Sequence, residues 1–296
     1  MRCRVKQNPF SFYDFLGYLI PGATLLYFIY FGGILYHFEP VERFYSYIIV
    51  DSGGLLELLK FIPAVIFSYI TGHFISLLSS FAVEKYCTRR NGYPSQFIFQ
   101  EEGERSRVNV ITVNLPLSKR KVFLPFTNIH HLITLVVILP IALIEMLPFG
   151  MLNQVKPIPQ PLRNTVFFSC KKILKKKFKV DVSSMDVKNG LVGDSFRIVY
   201  HYAYEYSERH SLKLQNYVAL YGFSRNISFV FVAIFWIMMT CKVFYLFGLA
   251  HTLNFHWSLI IATAVISYVF YQGFVKFYRR YTLEAIMAVC VIDANK

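Results

Sequence analysis

Phe15 to Phe38, FLGYLIPGATLLYFIYFGGILYHF, is the stretch that decides the fold, because it holds no Asp, Glu, Lys or Arg. At ~1.5 Å of rise per helical residue such a run crosses a ~30 Å hydrocarbon core. Inside that core a helix satisfies its own backbone polar groups, which an open strand cannot do. The first span therefore reads as Asp14 to Phe38, with Pro21-Gly22 as a kink. Leu55 to Phe81 repeats the pattern, as do Ile227 to Leu249 and Trp257 to Phe274. The last two runs are joined by the short turn AHTLNFH, which makes them an antiparallel hairpin.

Working outward, the composition fits this reading. The 296 residues are 55% hydrophobic, 18% aromatic and only 16% charged, too apolar for an ordinary soluble domain. The formal net charge of +14 is unevenly spread. Residues 151–226 hold thirteen basic groups against five acids, and residues 83–128 hold eight against four. A concentration of positive charge of this kind attracts acidic partners, whether lipid headgroups, nucleotides or nucleic acid. The five cysteines form no CxxC pair, so neither a disulfide framework nor a structural zinc site is expected. The apolar run near the N-terminus is longer than a signal-peptide core and lacks a small-residue exit, so it reads as a retained span.

The expected fold is mainly α: a polytopic α-helical membrane protein of four spans plus one re-entrant or fifth segment, with a basic cytoplasmic domain. Its parts are an N-terminal transmembrane pair at 1–82, a basic insert at 83–128 and the doubtful segment at 129–150. A basic domain follows at 151–226, then the C-terminal hairpin at 227–275 and a tail at 276–296. The doubtful segment, LITLVVILPIALIEML, is short, carries Pro140 at its middle and lies between two basic stretches. A re-entrant course keeps both stretches on one side. The loop after the first span has Arg43 alone against Glu39, Glu42 and Asp51, so the positive-inside rule places both termini in the cytoplasm. VNVITVNLPLSKRKVFLPF in the insert alternates like a short β-hairpin.

VFFSCKKILKKKFKV reads as a basic amphipathic helix, with six lysines between Lys171 and Lys179. Lys171, Lys172, Lys175, Lys176, Lys177 and Lys179, with Arg89 and Arg90, are the candidate ligand-binding residues. The same lysines suit an inner-leaflet lipid surface. No P-loop, GxGxxG or HD-like pattern accompanies them, and no enzyme activity or cofactor is expected. His201, Glu205 and Glu208 share a helix face at i, i+4 and i+7, but the spacing matches no zinc signature and suits a salt-bridged surface better. Ionisable residues in membrane segments are expensive and mark functional sites, which selects His73 and Glu145 as pore or gating candidates. Arg225 and Asn226, pore or gating candidates as well, border the third long span as a joint between basic domain and membrane.

Four strings carry a resemblance: YDFLGYLIPG at 13–22, SYITGHFISLLSS at 68–80, YVALYGFSRNISFVF at 217–231 and FVKFYRRYTLEA at 274–285. They resemble a widespread group of bacterial multi-pass inner-membrane proteins, some of which occur alongside anti-phage defence genes. The resemblance implies a bacterial inner-membrane location and a defence effector, and it carries over no catalytic residue. Together these readings favour a homo-oligomeric ion channel gated by a nucleotide or oligonucleotide signal at the basic domain. A non-conducting membrane anchor that recruits a soluble partner protein is the alternative, and an enzyme acting on lipid is the third.

Overall fold

The structure, a computed structural model, describes residues 12–43, 55–100, 132–147, 154–183, 185–191, 194–249 and 254–294. Helices dominate, and no strand occurs among the described residues. The hairpin expected at 108–126 lies outside them. The main helices are α1 (Ile20–Leu35), α2 (Leu55–Ser79), α3 (Lys85–Asn91), α4 (Leu139–Met146), α5 (Gln160–Phe178), α6 (Ser195–Tyr206), α7 (Glu208–Leu246) and α8 (Trp257–Ala294). Four apolar helical stretches, Phe15–Leu35, Phe61–Phe97, His210–Leu246 and Trp257–Ala294, are long and apolar enough to cross a membrane. That is the composition of a multi-pass membrane protein.

The chain divides into two compact units, with Met1–Val83, Thr134–Gly150 and Gly222–Tyr271 in the first and the remainder in the second. The core of the first unit gathers Ile75, Val230, Ile234, Met238, Ile260 and Ala264. α1 and α2 meet where both have glycine. A Cβ built on Gly22 would lie 1.8 Å from the Ser68 carbonyl oxygen, and one on Gly72 would lie 1.9 Å from that of Tyr18. Backbone therefore touches backbone, the small-residue packing that lipid-embedded helices favour.

The irregularity expected at Pro21-Gly22 takes the form of a π turn at Phe15–Leu19, just before α1. Proline has no N–H to return to the carbonyl four residues earlier, here that of Gly17, and the helix widens ahead of it. A second π turn, Ser80–Glu84, follows α2.

The segment around Pro140 is broken. Residues 132–137 and 139–146 are helical with a turn at Ile138 between them, and eight residues of α4 rise only ~12 Å. Ile138 and Ile141 are fully buried, and Trp236 Nε1 donates to the Val137 carbonyl at 3.0 Å. The segment thus packs within the first unit.

In the second unit α5 buries Val166, Phe167, Cys170, Ile173 and Leu174, a stripe at helical spacing, and leaves Lys175 to Lys177 exposed. The amphipathic helix is as expected. The C-terminal region differs from a simple tail: α8 runs unbroken to Ala294, with Ala285, Ile286, Ala288 and Val289 fully buried. These small and aliphatic residues recur at helical spacing, which holds the chain in a packed helix beyond the apolar span.

Candidate functional site

The lysine run does not act as one patch. Lys171 Nζ donates to the Met185 carbonyl at 2.8 Å, and Lys172 pairs with Asp293 at 2.9 Å. Lys175, Lys176, Lys177 and Lys179 have no protein partner among the described residues. A cavity of about 640 Å³ lies beside α5, lined by Lys171, Lys172, Lys175 and Lys179, by Phe168, and by the turn at Val180 to Ser183. Its two unpaired ammonium groups, Lys175 and Lys179, are the groups able to take an anion without breaking an existing contact. Lys176, Lys177, Arg89 and Arg90 do not line it. Arg90 instead donates to the Tyr86 hydroxyl at 3.0 Å.

The turn that closes the cavity is held by its own hydrogen bonds. Asp181 accepts from the Ser183 backbone N–H at 2.9 Å, and this bond holds its carboxyl below the ordinary range. Val180 N–H returns to the Leu174 carbonyl at 3.2 Å, ending α5. Between them Lys179 sits at φ +54°, the left-handed position that glycine usually takes at a helix C-terminus. A lysine held there stores strain, of order ~1 kcal/mol or more. Lys179→Gly should therefore raise the midpoint of thermal unfolding slightly while weakening phosphate binding; a lower midpoint would refute the strain, and unchanged binding would refute the ligand role. Behind the cavity Cys170 is wholly buried, which pushes its thiol well above its ordinary value and makes it a poor nucleophile.

The first unit contains a different cluster. Asn226, wholly buried, donates from Nδ2 to the Gly17 carbonyl at 2.6 Å, while its Oδ1 accepts from Ser79 Oγ at 2.5 Å. Arg225 is also buried and donates from Nη2 to Ser76 Oγ at 3.1 Å. Asn226 thus supplies the donor that Pro21 lacks, to the same carbonyl. Three helical segments meet at this one amide.

His73 lies on an exposed face of α2, stacked on Tyr18 with ring centroids 4.0 Å apart and edge-on to Tyr69 at 4.6 Å. Glu145 lies half-buried near the end of α4. Within this unit Arg225 and Asn226 come together with Ser76 and Ser79, one and two turns along α2 from His73.

Comparison with protein families, curated proteins and solved structures finds no match to this chain.

The single helix face expected for His201, Glu205 and Glu208 is interrupted. A break at Ser207 separates α6 from α7, and no group of three metal-ligating side chains occurs among the described residues. His210 pairs instead with Glu284 at 2.6 Å. Sequence reading missed Gly17, Ser76 and Ser79 as partners of Arg225 and Asn226, and Asp293 as the partner of Lys172. Only the missing proline N–H was visible in the sequence, as a carbonyl at Gly17 in need of a donor.

Proposed function

We propose that this chain is a bacterial inner-membrane effector with both termini cytoplasmic. It binds a phosphate-bearing nucleotide or oligonucleotide at the cavity beside α5 and, as a homo-oligomer, opens an ion path in response. The observation that carries the reading is the pair of unpartnered lysines, Lys175 and Lys179, facing one cavity. Anionic lipid headgroups carry the same phosphate chemistry and compete for those lysines. A ligand of this kind opens the path only by binding the open state more tightly than the closed one. α7 extends over 39 residues and contributes to both units, which supplies a covalent link between binding and membrane segments. Anti-phage defence is the setting in which such an effector would act.

The test is ion flux from liposomes holding the full chain, with and without short oligonucleotides or cyclic nucleotides. Lys175→Glu/Lys179→Glu should abolish ligand-dependent flux, since each lysine near a phosphate surface contributes ~1 kcal/mol before reversal adds repulsion. Unchanged gating in that variant refutes the assignment.

One observation favours the second reading, a non-conducting anchor that recruits a soluble partner. The polar side chains of Arg225, Asn226, Ser76 and Ser79 are engaged with one another, so they offer no free polar lining in a single copy. A conducting path would then run between copies, with the exposed His73 face as its contribution. Absence of flux under every condition selects the anchor.

A further inference from the structure

The second unit contains another cavity, of about 690 Å³, which the lysine-site reading does not use. Five tyrosines and Phe196 stand in its walls. Tyr200 meets Tyr281 edge-on at 5.8 Å, Tyr221 lies 4.9 Å from Tyr278, and Tyr278 and Tyr281 are parallel within 3° at 5.7 Å. Four chain segments converge to build it: the turn after α3, the approach to α6 and its first turns, the first part of α7 and the second half of α8. A closed aromatic core would leave no such space.

Ser95, Gln96, Asp194, Arg197, His201 and Thr282 supply the polar part of the lining. Gln96 presents a side-chain amide with no protein partner among the described residues, and so offers both a donor and an acceptor. Arg197 and His201 stand one helical turn apart on α6, both lining the cavity and both exposed. Asp194 lies 3.5 Å from Arg197, exposed as well. Burial, with Tyr204 beside it, pushes the Tyr200 hydroxyl above its ordinary value, so it stays a neutral phenol.

Aromatic walls accept either a quaternary ammonium, through cation–π attraction, or a flat ring, through stacking. The lining separates the two. Arg197 has a single long contact, 3.5 Å to Asp194, so its other guanidinium N–H groups can donate to an anion, and His201 offers a ring nitrogen beside them. A planar ring with donors and acceptors on its edge suits the tyrosines and Gln96, and an anionic tail suits Arg197 and His201. The volume falls within the range of small-molecule sites.

We infer that this tyrosine-walled cavity binds a planar heteroaromatic ring bearing an anionic tail, with a purine nucleotide as its simplest ligand. The inference is independent of the lysine cavity and stands if that reading fails.

Calorimetric titration of the full chain in nanodiscs, with AMP, adenosine and choline chloride as probes, tests it. AMP should bind, adenosine should bind about tenfold more weakly, and choline should not compete. Arg197→Gln should lower AMP affinity to that of adenosine. Tyr200→Leu should weaken both by about tenfold or more, as expected for one lost stacking partner. Should Tyr200→Leu fail to fold, Gln96→Ala, which breaks no side-chain hydrogen bond among the described residues, should weaken AMP and adenosine equally. Lys175→Glu/Lys179→Glu should leave AMP binding unchanged. Choline binding in place of AMP, no AMP binding at millimolar concentration, or AMP binding lost in the lysine variant and retained in Tyr200→Leu and Gln96→Ala would each overturn the inference.

Discussion

Gly72→Val should lower the thermal unfolding midpoint of the detergent-solubilised protein by about 5 °C, the shift that ~3 kcal/mol produces in a chain of 296 residues. The reason is the close approach of α2, at Gly72, to the backbone of the π turn ahead of α1. A Cβ at position 72 meets the Tyr18 carbonyl oxygen at 1.9 Å, and at 2.5 Å the carbon behind it. These are backbone atoms, which cannot swing aside as a side-chain end can. The helices would have to separate by roughly 1.5 Å to restore ordinary contact, with loss of dispersion along their whole seam. Gly32→Ala is the matched control, since a Cβ at Gly32 meets nothing within 4 Å. That substitution should leave the midpoint unchanged or raise it slightly, because alanine is the better helix residue. Equal midpoints for the two variants would mean that α2 and the π turn at Phe15–Leu19 do not touch as described.

Asn226→Ala should destabilise the protein by about 2–4 kcal/mol, because it leaves buried acceptors and donors without partners in a low-dielectric setting. The Gly17 carbonyl would lose the donor that stands in for the missing proline N–H. Arg225 Nε would lose the Asn226 Oδ1 acceptor at 3.4 Å, while Ser79 would keep the Ser76 carbonyl at 2.9 Å. Ser79→Ala, which removes one hydroxyl and leaves the Asn226 to Gly17 bond intact, should cost only about 1 kcal/mol. Chemical unfolding in mixed micelles measures both. Hydrogen exchange over residues 15–22 should also quicken in Asn226→Ala. If the two variants are equally stable, the amide of Asn226 is not the joint between these segments.

The long apolar helices were legible because their signal is local: an uncharged run of sufficient length admits few alternatives in a bilayer. The basic helix was legible for the same kind of reason, since Phe167, Ile173 and Leu174 recur at helical spacing among the lysines. What escaped depends on residues far apart in the chain. Asn226 reaches Ser79 across 147 positions and Gly17 across 209, and nothing in either neighbourhood names the other. The division of labour among the lysines was hidden too, because Lys171 and Lys172 are engaged by Met185 and Asp293, from a following turn and the far end of α8. The left-handed turn at Lys179 left no trace either, for the glycine that usually marks such a stop is absent. The tyrosine cavity draws on four segments, each of which reads in isolation as an ordinary aromatic helix face.

Pro21 and Asn226 also bear on how this chain can change over time. An alanine at position 21 would restore a backbone N–H to the Gly17 carbonyl, and position 226 would then be released from one of its two duties. Taken in the opposite order, loss of Asn226 while proline remains leaves that carbonyl stranded. The path between the two alternative pairs therefore has a preferred direction: the proline must go first. Two positions separated by most of the chain are in this sense a single heritable character.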